Sequence, residues 1–341
     1  MANSDLGTEM YKKLANYSRR LLIVPGAYPR KLDTTAKEGD KLSIALHDYR
    51  VHNASSDALT LLFTHGTSFN KDLWDIIIDH LIGRKELHGR IKRIIAIDAA
   101  THGDSAIANE GKLGEKAYWP DNAYDILTVI ESLGLSDPIV GIGHSFGGGA
   151  LAHAALISPT TFAMTIFIDP IAFVMEPQDQ MAADAALRRR DQWSSLEEVR
   201  LVFEKSKGLA DWHPEQRAIY AEKGTYEKLY TQNGKVSRIL KTPKVLEAAT
   251  YIAAPLPDLI ELFQQSNAHH RFILGGKSRV LNRDQRQQIS ALSSNSTKVT
   301  TISDAGHLIP MTHPFQLAQI ILDMLLAMPS DSTILRVGSK L

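Results

Sequence analysis

The clearest chemical pattern in the chain is a serine between two glycines at residues 143–147, which reads G-x-S-x-G. A strand-like run at 138–142 precedes it, and further glycines and an alanine-rich run of helical composition follow it. In a strand–turn–helix setting, small neighbours permit a tight turn that lifts a hydroxyl out of the sheet at a helix N-terminus. The pattern therefore predicts that Ser145 is a nucleophile.

A nucleophilic serine needs a general base. His307 lies in the run Asp304-Ala305-Gly306-His307, between the last strand-like run and the closing helical run. The order of serine before histidine, and the place of the histidine after a strand, favour catalysis over a merely structural loop histidine. We therefore predict His307 as the base, and we expect Asp304 to shape its loop.

An acyl transfer at Ser145 also needs backbone N–H donors for the oxyanion that forms. One donor is expected from Phe146, directly after the nucleophile, and the second from Thr67, in the loop after the run 59–64. We expect Phe69 and His144 to line the substrate pocket. His65, in the same loop as Thr67, is expected to be structural.

The runs around these residues alternate between strand-like and helical patterns. Strand-like runs occupy 42–51, 59–64, 93–97, 138–142, 162–168, 271–274 and 298–302, and helical runs include 73–82, 122–133 and 315–328. This alternation predicts an α/β fold with a mostly parallel sheet covered by helices on both faces. Ligand sites in such sheets lie at the carboxyl ends of the strands. Ser145 and His307 are therefore expected to meet at one edge.

Residues 171–268 break this alternation. They lack a clear strand and are rich in alanine, glutamate, arginine and lysine. We expect a helical insertion that forms a lid over the sheet edge. The core would then comprise residues 1–170 and 269–336, with 337–341 as a C-terminal targeting tail.

The composition excludes several classes of protein. The 341 residues include 38 Lys plus Arg and 38 Asp plus Glu, and 44% of them are hydrophobic. A disordered chain needs fewer apolar residues and more net charge, and a nucleic-acid-binding protein needs a basic surplus. With no cysteine, the chain has no disulfide, thiolate nucleophile or thiolate metal site. We also expect no signal peptide and no stable membrane insertion, because no apolar run has the required length.

The motifs together resemble the α/β-hydrolase fold family. The resemblance rests on the following segments: His65-Gly66, residues 98–105, the turn at Ser145, and Gly306-His307. Residues 98–105 are similar to the family's D-x-x-G-H-G-x-S loop, altered to carry Thr101 and Asp104. The motifs span residues 59–329 in the family's order. With the final Ser339-Lys340-Leu341, the chain is similar to fungal peroxisomal α/β-hydrolases, which include a yeast lipase and toxin-biosynthesis hydrolases.

The departure from the family pattern is the acid of the triad. The family usually places Asp or Glu after the penultimate strand, and Ser278 stands there, with Asp284 several residues late. Some members carry the acid one strand earlier, and Asp169 follows the strand-like run 162–168. We favour Asp169 because the usual position holds no carboxylate, and Asp284 remains the alternative.

The resemblance implies a serine hydrolase that cleaves a carboxylic ester or thioester through an acyl-enzyme on Ser145, as lipases and esterases do. It implies no cofactor and no metal. Three alternatives stay open: an acyl-CoA thioesterase, in which the run Arg188-Arg189-Arg190 contacts phosphate; a cyclase or lyase of secondary metabolism; and a non-catalytic ligand-binding homologue. The oligomeric state and the natural substrate are not predicted.

The final tripeptide Ser339-Lys340-Leu341 matches the peroxisomal targeting signal. We therefore expect a peroxisomal location, with the import receptor as a protein partner. A small-molecule ester or thioester is expected as the substrate, and nucleic acid is not expected as a partner.

Overall fold

The computed structural model describes residues 12–13, 16–173, 178–230, 234–253, 255, 259–294 and 296–328. The strands are β1 (Lys12–Lys13), β2 (Tyr17–Pro25), β3 (Ser43–Val51), β4 (Leu59–Thr64), β5 (Ile91–Ile97), β6 (Ile139–His144), β7 (Phe162–Ile168), β8 (Gln192–Trp193), β9 (Thr225–Tyr230), β10 (Lys235–Leu240), β11 (His270–Gly275) and β12 (Thr297–Ile302). The helices are α1 (Asp75–Ile82), α2 (Gly103–Ala108), α3 (Trp119–Ser132), α4 (Ser145–Ile157), α5 (Gln178–Arg188), α6 (Leu196–Glu204), α7 (Pro214–Lys223), α8 (Lys244–Ile252), α9 (Leu259–Gln264), α10 (Arg283–Ala291), α11 (Ile309–Thr312) and α12 (Pro314–Leu326). Short 3₁₀ turns lie at Lys71–Trp74, Lys85–Leu87 and Lys207–Leu209.

The main sheet has nine strands in the order β1-β2-β3-β5-β4-β6-β7-β11-β12. The strands from β5 to β12 in this order pair in parallel, whereas β1, β2 and β3 add an antiparallel edge. The predicted α/β fold with a mostly parallel sheet is confirmed.

Helices cover both faces of the sheet, which explains the nearly continuous apolar runs of the central strands. On one face, α1 and α12 contribute Ile77 and Ile321 to a core that includes Phe63 of β4. On the other face, α3 and α4 contribute Val129 and Leu151 to a second core.

The sheet register brings three strand ends together. His144, the last residue of β6, is the partner of Ile168, the last residue of β7. Ile168 in turn pairs with Ile273 of β11. The residues that follow β6 and β7 are Ser145 and Asp169, so these side chains leave adjacent strands at the same edge.

The described part of the segment 171–268 has five helices, as expected in part, but it also has strands. β8, β10 and β9 form a three-stranded antiparallel sheet in that order, so the expectation of a segment without strands is wrong. The two longer strands carry many charged residues, which suggested helix surface. Their pairing joins Tyr226 to Ile239 and Leu229 to Val236, and such cross-strand apolar pairs stabilise a hairpin.

The same segment packs on the core through aromatic side chains. Trp193, Phe203, Trp212 and Tyr220 form one buried cluster, which also takes in Leu73 and Met311 from outside the segment. Within the described ranges, no helix is long and apolar enough to cross a membrane.

Candidate active site

Ser145 occupies a strained turn between β6 and α4. Its φ of +54° lies in the left-handed region, which a residue with a side chain rarely adopts. A methyl group on Gly147 would lie 2.4 Å from the carbonyl oxygen of His65, and one on Gly143 would lie 2.7 Å from Thr64 Oγ1. The neighbours of Ser145 must therefore be small, as the G-x-S-x-G pattern predicts. The serine itself is 8% exposed.

Three side chains from separate strand ends form a continuous hydrogen-bonded chain. Ser145 Oγ lies 2.8 Å from Nε2 of His307, and Nδ1 of the same ring lies 2.7 Å from Oδ2 of Asp169. With Nδ1 protonated toward the carboxylate, Nε2 is free to accept the serine proton. The structure thus brings together the predicted nucleophile, the predicted base and the favoured acid.

Asp169 is fully buried, and donors surround its carboxylate. Oδ1 accepts from the N–H of Gly275 at 3.0 Å, and Oδ2 accepts from the hydroxyl of Ser278 at 2.6 Å. Burial alone would raise the pKa of Asp169, but the hydrogen bonds from His307, Ser278 and Gly275 outweigh it and hold this pKa below its ordinary value. Asp169 is therefore ionised at neutral pH.

The other acidic residues near the predicted site do not take this place. Asp284 is exposed in the first turn of α10. Asp304 is also exposed, and it lies 3.5 Å from Nε2 of His313. Ser278, at the position where the family usually has its acid, instead donates to the carboxylate of Asp169.

The Ser278 contact yields a prediction for stability. Ser278→Ala removes a hydrogen bond to a buried carboxylate, which costs about 2 kcal/mol. Because Asp169 has a depressed pKa in the folded state, this stabilisation is present above the unfolded-state pKa and is lost as pH falls through the folded value. We expect urea unfolding to show the full deficit at pH 7 and a smaller one near pH 3.

The exposed substitution Ser293→Ala is the control and should match the wild type at both pH values. Equal stability of Ser278→Ala and wild type at pH 7, or a deficit that grows in acid, would contradict the expected link between Ser278 and the carboxylate.

The loop after β4 lies directly against the nucleophile. A methyl group on Gly66 would be 3.1 Å from Cβ of Ser145 and 2.8 Å from Nδ1 of His144. Thr67, the next residue, is buried, and Phe146 follows the serine in the first turn of α4. The assignment of Thr67 and Phe146 as the oxyanion donors stays a prediction.

The structure buries His144 instead of leaving it open to a pocket. Burial, together with the charge of His307, lowers its pKa to about 3, so the ring is neutral. Its Nε2 lies 2.9 Å from the carbonyl oxygen of His307, to which it donates. Phe69 is half-buried and packs between the His144 ring and Trp212 of the inserted segment. His144 therefore contacts the loop that carries the base, and Phe69 meets the inserted segment.

A buried charge cluster joins the loop after β4 to the loop after β5. The sequence pattern does not predict this cluster. Lys71 Nζ lies 3.1 Å from Asp98 and 3.2 Å from Asp72, and it also contacts Asp104. Burial would lower the pKa of Lys71, but the carboxylates outweigh it and raise the pKa. A methyl group on Gly103, whose φ is +54°, would lie 2.4 Å from Asp98. The altered motif at 98–105 thus supplies Asp98 and Asp104 to an ion cluster. The spacing between Asp98 and Gly103 is the sequence signal for this cluster.

His65 is structural, as expected. Its buried ring accepts the N–H of Ala99 at Nε2 and donates from Nδ1 to the carbonyl oxygen of Gly66, 2.8 Å away. In the described part of the chain, no group of three or more His, Asp or Glu side chains is arranged to hold a metal ion.

Comparison with known proteins identifies the family of the chain. Residues 61–320 match the family described as "Alpha/beta hydrolase family", and the chain belongs to that family. Among the solved structures it is similar to the peroxisomal alpha-beta-hydrolase Lpx1 of Saccharomyces cerevisiae, with a TM-score of 0.80, 20% sequence identity and coverage of 94% of this chain and 92% of that one. This likeness concerns the fold.

Two curated relatives are similar over part of their length. The type I acyl-CoA thioesterase mpaH of Penicillium brevicompactum is 33% identical over 190 residues, 52% of this chain and 43% of that protein. The peroxisomal membrane protein LPX1 of Saccharomyces cerevisiae is 30% identical over 156 residues, 42% of this chain and 40% of that protein. The matches therefore cover less than half the length of either relative.

Proposed function

We propose that the protein is a serine hydrolase that cleaves a carboxylic ester or thioester through an acyl-enzyme on Ser145. The observation that carries the proposal is the hydrogen-bonded chain from Ser145 Oγ through His307 to Asp169, with distances of 2.8 Å and 2.7 Å. Such a chain removes the serine proton as the new bond forms, which a serine hydroxyl cannot achieve unaided at neutral pH.

In the first half of the reaction, Ser145 Oγ bonds to the carbonyl carbon of the substrate and its proton moves to Nε2 of His307. The carbonyl oxygen becomes an oxyanion, which the N–H groups of Thr67 and Phe146 stabilise. The bond to the leaving oxygen or sulfur then breaks, and His307 donates the proton to the leaving alcohol or thiol. Asp169 stabilises the imidazolium in between and keeps its own charge.

In the second half, water replaces the leaving group. His307 takes a proton from the water as its oxygen bonds to the acyl carbon, and the same two N–H groups hold the second oxyanion. Collapse breaks the bond to Ser145 Oγ, which regains a proton from His307. The products are a carboxylic acid and the free enzyme.

The inserted segment is proposed to act as the lid. Its aromatic cluster contacts Phe69 beside the site, and the nucleophile is only 8% exposed. An apolar covering of this kind favours a substrate with an apolar acyl group.

Acyl-CoA thioesterase activity is the second candidate, and the similarity to the type I acyl-CoA thioesterase mpaH favours it. It uses the same side chains and additionally needs a contact for phosphate. Arg188 is exposed at the end of α5 and is the candidate for that contact.

Arg188→Glu should raise KM for acyl-CoA at least about tenfold, because one charged contact is lost and a repulsive one is gained. Hydrolysis of a simple ester of the same acyl group should stay unchanged, and equal effects on both would remove Arg188 from this role.

The triad geometry supports a working catalytic centre over a non-catalytic ligand-binding homologue. The mass of the product separates hydrolysis from cyclase or lyase chemistry on the same residues, because only hydrolysis adds the elements of water.

We also propose a peroxisomal location, and the similarity to Lpx1 of Saccharomyces cerevisiae, a protein named as peroxisomal, supports it. The targeting tripeptide Ser339-Lys340-Leu341 lies outside the described residues. Fluorescence microscopy of an N-terminally tagged chain, with and without this tripeptide, tests the location. Import that persists after its removal would exclude the tripeptide as the signal.

The proposed function is tested by labelling with a fluorophosphonate, which phosphonylates activated serines. Intact-protein and peptide mass spectrometry should find one adduct, on Ser145, in the wild type. The adduct should be absent from Ser145→Ala and His307→Ala. No adduct in folded wild type, with a small uncharged ester-like probe failing as well, would favour the ligand-binding alternative.

A further inference from the structure

Ser68 follows Thr67 in the loop against the nucleophile, and its backbone is strained. Its φ is +77°, in the left-handed region that favours glycine. A side chain in this conformation is energetically unfavourable and persists only where surrounding contacts over-determine it. The contacts that hold Ser68 come from the inserted segment, more than 150 residues away in sequence.

Both oxygen atoms of Ser68 form hydrogen bonds with the inserted segment. Its hydroxyl donates to the carboxylate of Glu247, and Tyr251 OH lies 3.0 Å from the same hydroxyl oxygen. A serine hydroxyl has only one proton to donate, and Ser68 donates it to Glu247. In the hydrogen bond between Ser68 and Tyr251, the Tyr251 hydroxyl is therefore the donor. Tyr220 OH donates to the backbone carbonyl of Ser68 at 3.1 Å.

Arg189 closes this network. Its Nη1 donates to the hydroxyl of Tyr220 at 3.3 Å, and its guanidinium forms an ion pair with Glu247. Burial raises the pKa of Tyr251 to about 12, so the hydroxyl keeps its proton as a donor at neutral pH. Burial also raises the pKa of Glu247, and the charge of Arg189 opposes this rise.

These contacts come from separate places in the inserted segment. Arg189 follows α5, Tyr220 lies in α7, and Glu247 lies in α8 together with Tyr251. The contacts with Ser68 thus come from α7 and α8, and Arg189, after α5, binds Tyr220 and Glu247. The N–H of Thr67 belongs to the peptide unit that joins it to Gly66. Thr67 therefore lies between Gly66, which lies against Ser145, and Ser68, which this network holds.

We infer that Ser68, Tyr220, Tyr251 and Glu247 are positioning residues that aim the N–H of Thr67 into the oxyanion hole. The inference rests on the proposed function. The physical reason is that an oxyanion donor is effective only when it is held in place before the charge develops. The oxyanion hole is consequently complete only when the inserted segment is docked on the loop.

Two variants and one control test the inference. Ser68→Ala removes the hydroxyl bonds. Tyr220→Phe removes the bond to the Ser68 carbonyl, together with the bond that Tyr220 accepts from Arg189, while it keeps the aromatic packing. Thr242→Val is the control, because Thr242 Oγ1 accepts the N–H of Gly103 at 3.2 Å and so joins the inserted segment to the core without touching the loop.

We expect kcat for an ester substrate to fall about tenfold in each variant, less than the loss of a whole oxyanion donor, with KM within about twofold. A trifluoromethyl ketone is the second probe, because Ser145 adds to it and leaves an oxyanion in the hole. Its inhibition constant should rise by the same factor. Titration with fluorophosphonate gives the concentration of competent active sites. The constants are calculated from that concentration, so unfolded protein in a preparation does not change them.

The control should keep both constants within about twofold of the wild type. Unchanged kcat and inhibition constants in Ser68→Ala and Tyr220→Phe, with an active wild type, would overturn the inference and leave the proposed function intact. A wild type without fluorophosphonate labelling would instead overturn the proposed function. An equal loss in Thr242→Val would show that docking of the segment in general, and not the bonds to Ser68, sets the rate.

Discussion

Replacing either Ser145 or His307 with alanine will lower kcat for an ester substrate by about 10⁶-fold, and combining the two will lower it no further. The reason is that the two side chains act as a unit. Without the imidazole, 2.8 Å away, the hydroxyl keeps its proton, and without the hydroxyl the base has no nucleophile to activate. The remaining rate comes from the oxyanion donors and from binding alone.

Single-turnover kinetics of the two single variants and the double variant measure this effect. His313→Ala is the matched control, since this histidine lies six residues further on and its ring is 3.5 Å from Asp304 instead of the serine. It should retain activity within about twofold. Losses that add in the double variant, or hydrolysis that survives in Ser145→Ala, would mean that water attacks the substrate directly and that no acyl-enzyme forms.

The nucleophile and the base could be predicted from local sequence because local rules determine their setting. The turn at Ser145 needs glycines within two residues, and a histidine after the last strand of a parallel sheet reaches the same edge. Strand alternation predicts most of the sheet for the same reason. β2 was not predicted, because its Arg19 and Arg20 interrupt the apolar pattern at an antiparallel edge.

The acid depends on the register between strands, which no single segment reveals. Asp169 and Asp284 were both compatible with the sequence, and the pairing of β7 between β6 and β11 is what brings Asp169 to His307. The bond from Ser68 to Glu247 joins residues 179 positions apart. It depends on how the inserted segment docks on the core, and neither propensity nor hydrophobic pattern carries that information.

Asp169→Asn will lower kcat by about 10⁴-fold with KM within a few fold. The amide is nearly isosteric, so the hydrogen bond from Gly275 and the packing stay in place, but the charge that stabilises the imidazolium is lost. The amide also no longer requires the His307 tautomer with a proton on Nδ1, so Nε2 is less available to accept the serine proton. Steady-state kinetics of the two proteins at the same pH measure the loss.

Asp284→Asn is the matched control, because it makes the same chemical change on the exposed first turn of α10. It should leave kcat within about twofold of the wild type, as surface substitutions usually do. The opposite result, with a large loss in Asp284→Asn and none in Asp169→Asn, would reverse the assignment of the acid.

A compensating carboxylate at residue 278 tests the same assignment from the other direction. Ser278 Oγ lies 2.6 Å from Oδ2 of Asp169, the oxygen that contacts Nδ1 of His307, so a carboxylate at residue 278 would start next to that contact. In the Asp169→Asn background, Ser278→Asp should recover kcat at least about tenfold, because it restores a negative charge beside Nδ1. Ser278→Asn in the same background lacks the charge and should recover nothing. Recovery of kcat by both substitutions would indicate a packing effect. Recovery by Ser278→Asp alone would show that the site requires a carboxylate near the imidazole, and that this carboxylate can follow either of the two strands.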